Sequence, residues 1–179
     1  MIDMDALIAM AKEVGFTHAV PMDTATIDLK PVVREMCAKN SCGQYGKRWS
    51  CPPGCGELEE LRERVNRYKT GILVQTVGQL EDDFDVETMM DMQNAHKEHL
   101  YDMQALVLQK YPGALAIGAG CCTHCKECTY PDAPCRFPEK QMASMEAYGM
   151  LVTEVCLAND MKYYYGPCTL AYTGCFLIE

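Results

Sequence analysis

Twelve cysteines stand in a chain of 179 residues, and nine of them fall in two short stretches, 37–55 and 121–135. So many thiols admit two readings, a disulfide framework or a set of metal ligands. Disulfide-dense scaffolds are usually much shorter, and with 49% hydrophobic residues this chain can bury a core without cross-links. The opening Met1-Ile2-Asp3-Met4-Asp5 has neither the basic n-region nor the apolar h-region of a secretory signal. A reducing, cytoplasmic setting is therefore expected, where unpaired thiols in this number call for coordination. The first expectation is a single Cys-rich metal-binding domain over 1–179.

Charge narrows the partners. Sixteen basic against 25 acidic side chains give a net charge of −9, without the clustered Lys and Arg that phosphate binding requires. No apolar run approaches the ~20 residues of a membrane span. Neither nucleic acid nor membrane is an expected partner. The oligomeric state is left open.

Hydrophobic periodicity lays out the elements between the cysteines. Asp3 is a plausible N-cap for a helix over 3–14, with Leu7, Ile8, Ala11 and Val14 as its apolar stripe and Gly15 as its stop. A short strand is expected over 17–21 and a second helix from Pro31 to Lys39. Residues 40–56 are too rich in Gly, Pro and Cys for a regular element. Glu57–Tyr68 has Leu58, Leu61, Val65 and Tyr68 on one helical face. Gly71–Val77 reads as a buried strand, and 85–110 as a long helix with Met89, Met92, His96, Leu100, Met103 and Val107 turned inward. Ala114–Gly118 is a further strand, 142–160 a helix and 170–178 a last strand. The order predicts an α+β fold: a small mixed sheet with helices on one face and two Cys-rich metal-binding loops.

The strongest chemical signal is Cys122, Cys125, Cys128 and Cys135. Two residues separate each of the first three, which lets one tight loop aim successive thiolates at a common centre. Bacterial ferredoxins open their cubane-binding loops with such a run, whereas a tetrahedral zinc site more often uses two separated pairs. Pro131 and Pro134 stiffen the step to Cys135. The second set is Cys37, Cys42, Cys51 and Cys55, with gaps of four, eight and three residues among Gly43, Gly46, Pro52, Pro53, Gly54 and Gly56. Glycines permit close approach of backbone to an inorganic core, and Cys55 precedes a helix N-terminus that favours thiolate charge. A proline-glycine loop with free thiols is the plainer reading of this less regular spacing.

Cys156 and Cys175 read as small core residues. Cys121 is placed to stand in for Cys122, and Cys168 to reach either set. Since one run can serve two clusters, the pairing stays open. His96 reads as core and His99 as surface, while His124, inside the cysteine run, is placed to tune a cluster. Tyr163, Tyr164 and Tyr165 read as core aromatics ahead of the last strand.

Several of these motifs recur together in one pattern. Cys37-Ala-Lys-Asn-Ser-Cys42-Gly-Gln-Tyr-Gly46, Trp49-Ser-Cys51-Pro-Pro53, Cys122-Thr-His-Cys125-Lys-Glu-Cys128, Pro134-Cys135-Arg136-Phe-Pro138 and Ser144-Met-Glu-Ala-Tyr-Gly149 follow in order. In these the chain resembles, over nearly its whole length, a family of small bacterial and archaeal proteins, frequent in anaerobes. That family is known only as predicted metal-binding proteins with a domain of unknown function. The resemblance implies metal or iron–sulfur binding through Cys37, Cys42, Cys51, Cys122, Cys125, Cys128 and Cys135, a set that leaves out Cys55. It implies no reaction.

The leading functional expectation is an iron–sulfur protein with one or two [4Fe–4S] clusters that passes electrons to a redox partner protein. An iron–sulfur enzyme with an open iron site is the first alternative, with Arg136, His124, Glu146 or the tyrosines acting on its substrate. A zinc-stabilised interaction module is the second.

Overall fold

Capping side chains satisfy loose backbone groups at the starts of three helices. The computed structural model describes residues 2–179. Helix α1 (Met4–Val14) starts at Asp3, whose carboxylate accepts the Ala6 N–H at 3.0 Å, and stops at Gly15 with φ of +123°. Helix α2 (Pro31–Ala38) carries its proline where an N–H would go unpaired, and α3 (Leu58–Val65) opens with a reciprocal Glu57–Glu60 capping box. Helix α4 (Val86–Lys110) is capped by Asp85, and α5 (Val152–Ala158) is the last.

Five strands form one mixed sheet: β1 (His18–Asp23), β2 (Thr70–Gln79), β3 (Leu115–Gly118), β4 (Ala143–Ser144) and β5 (Thr169–Ile178). Their order is β1-β2-β5-β3-β4, and only the β3–β4 pair is parallel. The α+β class and the small mixed sheet are those read from the sequence.

Strand alternation divides the core in two. Ile72, Val74, Ala116, Phe176 and Ile178 pack with Leu7 and Ala11 of α1 and with Leu100, Met103 and Val107 of α4. Leu73, Ile117, Cys175 and Leu177 face the other side, where they meet Leu61, Val65, Met145, Tyr148 and Val155. The expectation of helices over one face thus holds for α1 and α4. The opposite face is also covered, by α3, α5 and the 143–150 segment.

One element differs from its sequence reading. The stripe Met145, Tyr148, Val152, Val155 predicts a helix over 142–160, but only Val152–Ala158 is helical. Ala143 and Ser144 instead pair with Ile117 and Gly118 as β4, and the chain turns at Gly149 with φ of +88°. There the Gly149 carbonyl accepts the Lys30 N–H at 2.7 Å, and Leu29 bridges Met150. Tertiary pairing overrides a helical period in a segment whose burial would look the same either way.

His96 is 1% exposed, as expected of a core residue, with Nδ1 2.8 Å from the Thr76 hydroxyl and Nε2 without a partner. Burial, helped by neighbouring His99, drives its pKa down to about 3. Between that value and 6.5 the unfolded chain binds a proton that the native chain refuses, so stability falls as pH falls. From pH 6.5 to 5 the loss should come to about 2 kcal/mol, at about 1.4 kcal/mol per pH unit. Denaturant midpoints across that range, compared with a flatter profile for His96→Leu, check it. His99, expected at the surface, is half-buried with its ring on the edge of Phe16. Gly15 makes room for it, because a Cβ there would lie 2.6 Å from His99 Nε2.

Candidate metal centre

Residues 39–57, between α2 and α3, and 119–137, beyond β3, contain neither helix nor strand. A handful of hydrogen bonds, mostly from side chains, tie the two segments together. Arg48 Nη1 donates to the Cys122 carbonyl at 3.1 Å, and the Cys122 N–H donates to Ser50 Oγ at 3.0 Å. The Trp49 indole N–H reaches the Ala133 carbonyl at 3.0 Å, and its ring meets Tyr130 edge to face. Within the second segment Thr129 Oγ1 donates to the Pro134 carbonyl and Arg136 Nη1 to the Glu127 carbonyl. These bonds set the step from Cys128 to Cys135. Arg136 therefore braces the loop.

Cys122, Cys125, Cys128 and Cys135 all line one cavity, together with Trp49, Ser50, His124 and Phe137. All four thiols are half-buried. The Trp49 N–H points to Cys128 Sγ at 3.5 Å, the kind of donor that tunes a metal-bound sulfur. Among the described residues His124 makes one hydrogen bond: its Nε2 donates to the Lys140 carbonyl at 3.0 Å, with the ring against Tyr101. That contact fixes Nε2 as the protonated nitrogen, since a carbonyl only accepts. The enclosed space is ≈ 20 Å³, about one water's worth. Its wall includes exposed Phe137 and half-exposed Gln141.

The other sequence-derived set is divided. Cys37, Cys42 and Cys51 line a second, roomier cavity of ≈ 430 Å³, and the thiol that joins them there is Cys121. Cys55 lines a separate cavity with Arg64, Gln104 and Tyr148 and packs on the core. Its Sγ is 3.7 Å from the Ala147 carbonyl. Burial pushes the Cys51 thiol up to about 11; the Ser50 hydroxyl opposes this, and the nearby Cys121, Cys42 and Cys55 sulfurs reinforce it. Burial likewise raises Cys37 and Cys55. Thiolate ligation at these positions must displace a tightly held proton, so metal uptake should release protons.

The remaining residues sort as follows. Cys156 and Cys175 are fully buried, as their apolar neighbours suggested. Cys168 lines neither cavity; its carbonyl accepts the Leu80 N–H at the far end of β2. Glu146 is exposed on the rim of the second cavity. Tyr163 and Tyr164 are exposed rather than core, while the Tyr165 hydroxyl donates to Gln75 at 2.7 Å. Trp49 and Ser50 also line the first cavity; sequence reasoning quoted them in the motif around Cys51 but gave them no role there. Among the described residues no three His, Cys, Asp or Glu side chains are gathered closely enough to hold a single ion.

Cysteines of the two irregular segments line two cavities beside an α+β sheet, the arrangement of a cysteine-rich protein. The chain belongs to the family described as predicted metal-binding protein (DUF2284), whose model matches residues 20–178 and so takes in every cysteine. No curated protein and no solved structure matches it. No helix among the described residues is long and apolar enough to cross a membrane.

Proposed function

We propose that this is an iron–sulfur protein, probed best as a [4Fe–4S] carrier that passes single electrons to a partner redox enzyme in the cytoplasm. The observation that carries the reading is the convergence of Cys122, Cys125, Cys128 and Cys135, spaced by two, two and six residues, on one cavity. That spacing suits a cubane better than a tetrahedral zinc ion. When bound, the cluster would supply one-electron chemistry. The chain's own residues would supply four thiolates, the Trp49 N–H toward Cys128 and the apolar wall of Phe137.

All four thiols reach partial exposure, so the cofactor edge would lie close to the surface, as exchange with another protein requires. In each cycle one electron would arrive from a reduced donor protein and one would leave to the acceptor, with no bond made or broken. A net charge of −9 suits steering toward a basic patch on the partner.

Protein purified without oxygen should contain iron and acid-labile sulfide in equal amounts, with broad visible absorption that bleaches on reduction. Zinc with neither sulfide nor visible absorption would sink the proposal. A visible spectrum that changes on adding a small molecule would move the reading toward an iron–sulfur enzyme.

A further inference from the structure

We infer that Cys37, Cys42, Cys51 and Cys121 form a second metal centre, with Cys121 in the place that chain proximity would give to Cys55. The inference rests on the iron–sulfur reading for the identity of the metal, and on the arrangement of the thiols for its ligands. All four cysteines line the same ≈ 430 Å³ cavity, whose other walls include the small residues Gly120, Ser144 and Ala147. Space for an inorganic core is already present there.

The backbone explains the exchange of ligands. The Cys55 N–H donates to the Cys51 carbonyl at 3.1 Å, a single helical turn that carries Cys55 around toward Leu58 and the core. Cys42 is brought back by a tight loop: the Gly43 N–H donates to the Asn40 carbonyl, the Tyr45 N–H to the Asn40 side chain, and the Gly46 N–H to the Pro52 carbonyl. Gly43 and Gly46 have φ near +70°, where a side chain would be strained. Cys121 arrives from β3 through Gly120, with φ of +67°, and enters one cavity while Cys122 enters the other. One peptide unit therefore separates a ligand of each centre. Ser50 ties them again, since its Oγ accepts the Cys122 N–H and lies 3.9 Å from Cys51 Sγ.

The test is iron and sulfide content, with electron spin resonance of the reduced protein, after reconstitution of the full chain without oxygen. The unaltered protein should hold about eight irons, as two cubanes require. Cys121→Ala should hold about half as many and keep the signal of the Cys122-loop centre, which also reports that it has folded. Cys42→Ala, at the most exposed of the four thiols, should give the same halving. Cys55→Ala should keep the full complement. Iron unchanged in Cys121→Ala or Cys42→Ala, or halved in Cys55→Ala, overturns the assignment while leaving the Cys122-loop centre standing. Absence of iron and sulfide from the unaltered protein overturns the proposed function as well.

Discussion

Cys128→Ala is expected to empty the Cys122-loop centre, with a loss of about four irons and four sulfides per chain. Cys128 is the third thiol of the run and the one whose Sγ faces the Trp49 N–H, so its removal takes away both a ligand and a tuned sulfur. Three thiolates hold a cubane far less firmly than four, and alanine leaves no oxygen to substitute. The fold itself should survive, because Cys128 is half-exposed and belongs to neither packed core. The variant should therefore keep its far-ultraviolet dichroism and lose the part of the thermal stabilisation that loading of the Cys122-loop centre gives the unaltered chain. Iron content equal to that of the unaltered protein would remove Cys128 from the ligand set.

Ser50→Ala should act on both cavities at once. Ser50 is 1% exposed, and its oxygen is the acceptor for the Cys122 N–H. Because that lone pair is taken, the hydroxyl proton is free to point at Cys51 Sγ, 3.9 Å away. Alanine leaves a half-buried N–H without its partner, which costs about 1 kcal/mol. It also strips a hydrogen bond from a sulfur. Donors to sulfur favour the more negative, reduced state of a cluster, so the potential of the Cys51 centre should fall. Chemical denaturation measures the first effect and a redox titration the second. Ser41→Ala, at an exposed serine nearby, is the control and should change neither. An unaltered potential in Ser50→Ala would mean that the hydroxyl does not serve Cys51.

Much of the scaffold was legible because its signals are local. The Asp3 cap, the Gly15 stop, the Leu58–Leu61–Val65 face and the apolar run from Ile72 to Val74 each depend on residues within one or two turns, and each has its counterpart in α1, α3 and β2. The 142–160 segment misled because its apolar spacing fits a helix and a buried turn equally well, and the choice was made by Lys30 and Gly118, distant in sequence. That Cys122, Cys125, Cys128 and Cys135 line one cavity was legible for the same local reason, since spacing by two residues keeps the first three on one tight loop. The other four-cysteine set was not. Cys51 and Cys55 are neighbours in sequence, yet one turn of backbone sends them to different cavities. Cys121 is separated from Cys51 by α3, β2, α4 and β3, and only the pairing of β3 against β5 brings it back.

The parallel pairing of β3 with β4 leaves an unusual tether between them. None of residues 119–141 is fully buried, although the strands they connect lie side by side with Gly118 opposite Ser144. Loops beyond about 12–15 residues with no structure of their own are uncommon in compact proteins. This one has a single 3₁₀ turn, Pro138–Lys140, and its aromatic contacts leave none of it in either packed core. On the proposed reading its filling is inorganic: the cluster would be to this loop what leucines are to a hydrophobic interior. Its order would then follow the supply of iron and sulfide in the cell, while the sheet beneath stands on burial alone.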